Sequence, residues 1–231
     1  MTDYYFGTDG ATDLATCGTS GQRFYIGKLG AGVTAGSGGD FDSTTASDVG
    51  NADLVYGYWD IEGPTSPNKP AGDSPAQWGA AQATAFIAAW STSTVVDGET
   101  LFGDIESGNP GWSSSNKSDQ RLLVNAFLNE INSGSGIVAG IYANPTDFDN
   151  FLGSTWTASH EFVWWLAAWD ASVTNCVTAE SEWTNQITPG TYDRGGYKVM
   201  IWQYKGSGSG PDLDMTIYPG FLDARWNPVA S

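Results

Sequence analysis

A closed α/β barrel is the fold this sequence predicts, and three observations carry it. Short runs rich in aromatic and β-branched residues alternate with helix-patterned stretches in the first part of the chain, which implies parallel βαβ units. No dinucleotide-type glycine fingerprint accompanies them, and that favours closure into a barrel over an open sheet. The 231 residues are 40% hydrophobic and 13% aromatic with no interrupting linker, so one α/β domain spanning 1–231 with ample core is expected.

The elements follow in order. Tyr4 to Thr8 reads as a short strand stopping at Asp9, and Arg23 to Leu29 (RFYIGKL) alternates as a second. Gly30 to Gly39 reads as a loop, and without a Lys-Ser or Lys-Thr ending it is no P-loop. Leu54 to Ile61 (LVYGYWDI) is a third strand, closed by Glu62-Gly63-Pro64 and a Pro-rich loop through Pro75. Ser74-Pro75 reads as a cap with Pro in the first turn, opening an Ala-rich helix to about Trp90. Thr100 to Ile105 is the fourth strand. Ser118 is expected to cap the next helix, with Leu123, Phe127 and Ile131 on one face and Gly134 at its end. Ile137 to Tyr142 is the fifth strand and Asn144 to Leu152 a short helix. Phe162 to Trp169 and Lys198 to Tyr204 read as further strands whose connections have weaker helical character.

Bulk charge narrows the partners. With 26 Asp and Glu against 9 Lys and Arg, the formal charge is −17, so nucleic acid and anionic membrane surfaces are repelled, and a neutral or locally cationic partner fits better. No apolar run approaches the roughly 18–20 residues of a membrane span. The start, MTDYYFGTDG, lacks signal-peptide regions. Low Lys, abundant Ser, Thr and Gly, and 11 Trp lead us to expect an exported protein whose leader has been removed, or one released by lysis. Cys17 and Cys176 leave a disulfide and two buried free thiols equally open. One His, His160, and no clustered Cys argue against a metal site, and no cofactor is expected.

Chemistry concentrates in LFGDIES, Leu101 to Ser107. Side chains two apart on a strand point the same way, so Asp104 and Glu106 are expected to project with Phe102 toward the barrel axis, while Gly103 and Ile105 face the helices. They fall at the carboxyl end of the strand, where barrel enzymes keep their active sites. Two adjacent carboxylates repel, which pushes one toward a raised pKa suited to a general acid. An Asp-x-Glu alone is weak, because strands commonly end in solvated acids. Other strand ends repeat the pattern: Asp9, then Asp60 and Glu62, then Asp170, with Asp212 and Asp214 placed beyond the last strand. Acids at so many strand ends converge on one mouth if the barrel closes. Aromatics gather there too. Trp165, Ala167 and Trp169 share a strand face, and Tyr58, Tyr142, Trp202 and Tyr204 end other strands, where flat faces suit stacking on sugar rings. Tyr58, Tyr142, Trp169, Trp202 and Asp60 are therefore the expected substrate contacts, with a core role the alternative for Trp164 and Trp202.

In combination these blocks resemble the family-25 glycoside hydrolases, the Chalaropsis-type lysozymes. The likeness runs through FGTD with Asp9, FYIGKLG, the DFDSTTASDVGNA segment, LVYGYWDI, AAQATAFI, FGDIES, GIYANP, WLAAW, IWQY and PDLDM. It implies a modified TIM-like barrel of five β/α units followed by three strands, which accords with the weakened later helices. It also implies cleavage of the β-1,4 bond between N-acetylmuramic acid and N-acetylglucosamine in peptidoglycan; separately, a monomer is expected. Glu106 matches the family's proton donor, and Asp104 the carboxylate that stabilises the reacting centre or orients the substrate's acetamido group. Asp9 and Asp212 match two further acids of the groove. The chain departs from the family pattern at Gly10-Ala11, at Trp59 where a His is common, and at Asp214 where Asn is usual. The alternatives are a glycan-binding barrel that does not cut, and a hydrolase of the same fold acting on another N-acetylated glycan.

Overall fold

The computed structural model describes residues 5–9, 24–36, 52–134, 136–169, 173, 176–206 and 212–216. Nine strands lie within these: β1 (Tyr5–Asp9), β2 (Phe24–Ala31), β3 (Thr34–Ala35), β4 (Leu54–Asp60), β5 (Thr100–Asp104), β6 (Val138–Ala143), β7 (Val163–Ala167), β8 (Val199–Lys205) and β9 (Asp212–Thr216). The sheet runs β1-β9-β8-β7-β6-β5-β4-β2-β3, and a parallel pairing of β1 with β2 closes it into an eight-stranded barrel with β3 outside. Neighbours are parallel from β1 through β2 and β4 to β8, and β9 alone runs antiparallel to both its partners within the barrel. This is the expected modified TIM-like barrel. Asp212 and Asp214, expected beyond the last strand, instead lie on the strand that closes it. That short strand breaks the apolar pattern with two acids, so alternation alone did not reveal it. Part of the expected Gly30 to Gly39 loop is also ordered: β2 runs on to Ala31 and turns back to pair with Thr34–Ala35.

Four helices pack outside the described strands: α1 (Pro75–Thr92), α2 (Lys117–Ser133), α3 (Pro145–Phe151) and α4 (Cys176–Glu182), the last continued by a π-helical turn at Trp183–Ile187. Ser74 caps α1 as expected. Its hydroxyl accepts from the Gln77 N–H, the Gln77 side chain returns to the Ser74 N–H, and Pro75 opens the first turn. The cap of α2 is Asn116 and not Ser118, because the Asn116 side chain accepts the Asp119 N–H that Ser118, already inside the first turn, cannot reach. Leu123, Phe127 and Ile131 are buried together on one face, as expected.

Alternation sorts the strand residues into two layers. Phe24, Ile26, Tyr56, Phe102, Val163 and Trp165 fill the barrel. Trp59, Leu101, Ile105, Ile141, Trp164 and Leu166 point outward and pack with Phe86, Leu123 and Phe127 of the helices. Inside, Phe102 lies against Gly140, where an added Cβ would come within 2.3 Å of the ring. The aromatic filling thus rises only to Phe102 and Trp165, whose rings meet edge to face at 5.3 Å. Above them the polar strand ends surround open space.

Candidate active site

A cavity of about 230 Å³ opens at the carboxyl ends of the parallel strands, lined by Asp9, Tyr58, Asp104, Glu106, Tyr142, Trp165 and Trp169. Asp9 and Asp104 are the last residues of β1 and β5, and Glu106 and Trp169 follow β5 and β7 by two residues. Six residues expected at the site from the sequence thus line one cavity. Trp165 forms the floor, packing edge to face against Tyr142 at 4.5 Å and Tyr58 at 6.4 Å.

Asp104 is the most buried of the three acids that line the cavity, 6% exposed, and its Oδ1 has no hydrogen-bond partner. Burial holds its carboxyl well above the usual carboxylate range, reinforced by the charges of Glu106 and then Asp60, while Asn109 and Lys28 pull the other way more weakly. Burial likewise pushes the Tyr142 hydroxyl well up, helped by Asp9, Glu106, Asp104 and Asp214, so it keeps its proton.

Glu106 is half-buried on a turn that neighbouring elements clamp. The Ile105 N–H donates to the Tyr142 carbonyl at 2.9 Å, the Ser107 N–H to Asp147 Oδ2 at 2.9 Å, and the Asn109 N–H to the Glu106 carbonyl at 3.1 Å. Asp147 is itself set by α3, whose cap Asn144 donates to Asp147 Oδ2 and accepts the Asp147 N–H. The short helix after β6 therefore fixes the turn after β5.

Three expectations change. Trp202, expected to contact substrate, is fully buried on the helix side, its indole N–H donated to the Ala168 carbonyl at 2.8 Å and its ring against Trp183 and Tyr204. Period-2 alternation explains this, since Gln203 beside it points inward. Trp202→Phe is accordingly expected to lower stability by about 1–3 kcal/mol in urea unfolding. Asp60, also expected to contact substrate, does not line the cavity. It stands opposite Asp104 in register and pairs with Lys28 of β2, acting on the site through its charge. Glu62 is turned away too, its buried carboxylate taken up by Ser66 and Asn68 of the Pro-rich loop. Asp212 pairs in backbone register with Asp9, but its side chain lies outside the described residues, as do Asp170, Cys17 and the side chain of Cys176.

Two further polar residues lie inside the barrel, and of these sequence reasoning counted Asp214 among the strand-end acids but passed over Gln203. Asp214, fully buried on β9, accepts the Trp165 indole N–H at 2.8 Å. Gln203, 1% exposed on β8, joins Asp9, Tyr142 and Trp169. The signal for Gln203 was a single amide inside the apolar strand VMIWQYK. Among the described residues no three His, Cys, Asp or Glu side chains are arranged to hold a metal ion.

Fold and site together define a barrel with an acidic, aromatic-lined mouth. No protein-family model and no curated protein sequence matches the chain. Solved structures do. A family GH25 lysozyme from Aspergillus fumigatus superposes with a TM-score of 0.63 at 19% identity, over 96% of this chain and 98% of that one. A muramidase from Trichobolus zukalii matches with a TM-score of 0.57 at 21% identity, over 91% and 92% of the two chains. A bacterial lysozyme from Streptomyces coelicolor matches with 0.56 at 19%, over 93% and 92%. The chain has the fold of the family-25 glycoside hydrolases.

Proposed function

We propose that this protein is a glycosidase of the lysozyme type, cleaving the β-1,4 bond between N-acetylmuramic acid and N-acetylglucosamine in peptidoglycan. The observation that carries the reading is the meeting of Asp9, Asp104 and Glu106 with Tyr58, Tyr142, Trp165 and Trp169 in one cavity at the carboxyl ends of the strands. The fold shared with proteins described as lysozymes and muramidases supports it. Export of the chain, expected from its composition, suits a substrate in the cell wall.

Glu106, at the mouth, protonates the leaving oxygen and later activates water, while Asp104, beneath it, assists formation of the oxocarbenium-like centre. Burial disfavours the charged form of Asp104 in the resting protein. As the anomeric carbon becomes positive, the charge is best placed on Asp104 and the proton on Glu106, an arrangement stabilised only in the transition state. The exposed face of Trp169, whose residue is 62% exposed, gives a sugar ring a stacking surface.

The test is release of reducing ends from purified peptidoglycan, with mass analysis of the fragments. Fragments ending in muramic acid at the new reducing end support the reading. Binding to insoluble peptidoglycan with no new reducing ends overturns it in favour of a glycan-binding barrel, and activity confined to another N-acetylated glycan reassigns the substrate.

A further inference from the structure

Gln203 is bonded to three of the residues that line the cavity, and both ends of its amide are engaged. Its oxygen accepts the Tyr142 hydroxyl at 2.9 Å and the Trp169 indole N–H at 2.7 Å. Its nitrogen sits 2.9 Å from both oxygens of Asp9. One side chain on β8 thus ties together the end of β1, β6 and the segment after β7, across 194 residues of sequence in the case of Asp9.

The chemistry of the partners fixes which way the amide points. An indole N–H only donates and a carboxylate only accepts, so the flipped amide would set an NH₂ against the indole N–H and an oxygen against Asp9. Two consequences reach the cavity. The single hydroxyl proton of Tyr142 is committed to Gln203, so toward a ligand the phenol oxygen offers lone pairs only. The Trp169 N–H is committed likewise, so its exposed ring offers a flat face and no donor.

We propose that Gln203 is a positioning residue that sets the hydrogen-bond polarity of the cavity. It holds Asp9 and Tyr142 as acceptors and pins Trp169 as a platform, so this wall selects a neutral glycan presenting hydroxyl or amide N–H donors. The inference deepens the glycosidase reading and rests on it for the substrate class. The arrangement of the side chains stands without it.

Two variants separate the two sides of the amide. Gln203→Glu keeps acceptors for Tyr142 and Trp169 but cannot, when ionised, donate to Asp9. Gln203→Met loses both. In protein labelled with ¹⁵N-tryptophan, the Trp169 indole signal is identified by its loss in Trp169→Phe, and its exchange with water is followed by NMR. Exchange is expected to quicken by about tenfold in Gln203→Met and to stay close to the parent in Gln203→Glu. On peptidoglycan, both variants are expected to lose about 10–100-fold in kcat, with KM rising in Gln203→Met only. Should Gln203→Met not fold, Gln203→Asn, one methylene short of its partners, carries the same expectation. Unchanged indole exchange in Gln203→Met or Gln203→Asn, or parental kcat and KM in both variants, overturns the proposal. A parent that releases no reducing ends overturns the glycosidase reading instead, and the exchange measurement then decides the role of Gln203 alone.

Discussion

Replacing Glu106 by Gln is expected to lower reducing-end release from purified peptidoglycan by about 10²–10⁴-fold, the usual share of a general acid and base. The amide occupies the same space but can neither protonate the leaving oxygen nor activate water. The turn that carries it is held through backbone groups and Asp147, none of which the substitution touches, so the fold should be unaffected. The variant also removes the largest charge acting on Asp104, so Asp104 titrates at lower pH than in the parent. Rates measured alongside thermal midpoints check this. Parental turnover in Glu106→Gln would sink the assignment of Glu106 as acid and base.

Asp104→Asn is expected to abolish most activity and yet to stabilise the protein at neutral pH. The folded-state pKa of Asp104 is raised above that of the unfolded chain, so the folded state binds the extra proton in the interval between the two values. Stability is therefore intact below the unfolded value, about 3.9, and falls as pH rises through the folded one. Above that, the parent holds a buried carboxylate with an unpartnered oxygen, and the neutral amide relieves a cost of about 1–3 kcal/mol. The gain should appear as a higher Tm of Asp104→Asn at pH 7 that shrinks toward zero near pH 4. Equal midpoints at both pH values would show that Asp104 is not desolvated in the way its burial implies. A buried acid that costs stability is the pattern expected where a protein trades stability for its chemistry.

Much of the barrel was legible because its parallel strands are short, near-continuous apolar runs and its larger helices follow period 3.6 with caps. LVYGYWDI, LFGDI and IVAGIY each carry enough apolar residues to declare themselves, and Ser74-Pro75 announces α1. β9 was not legible by pattern, since two acids in five residues outweigh its apolar content. It pairs only because β1 and β8 offer it two open edges.

Sequence by itself determined the strand ends at which acids and aromatics accumulate, and hence Asp9, Asp104, Glu106, Tyr58, Tyr142 and Trp169 as a candidate set. Side-chain parity along β5 is a local property, and so it could be read locally. Only the tertiary structure decided which of these residues face one another. It turned Asp60 to Lys28, sent Trp202 to the helix layer and made Asp104 the most buried of the acids that line the cavity. It also brought Gln203 to Asp9. Those outcomes depend on closure of the barrel and on register between strands far apart in sequence, which no window of neighbouring residues contains.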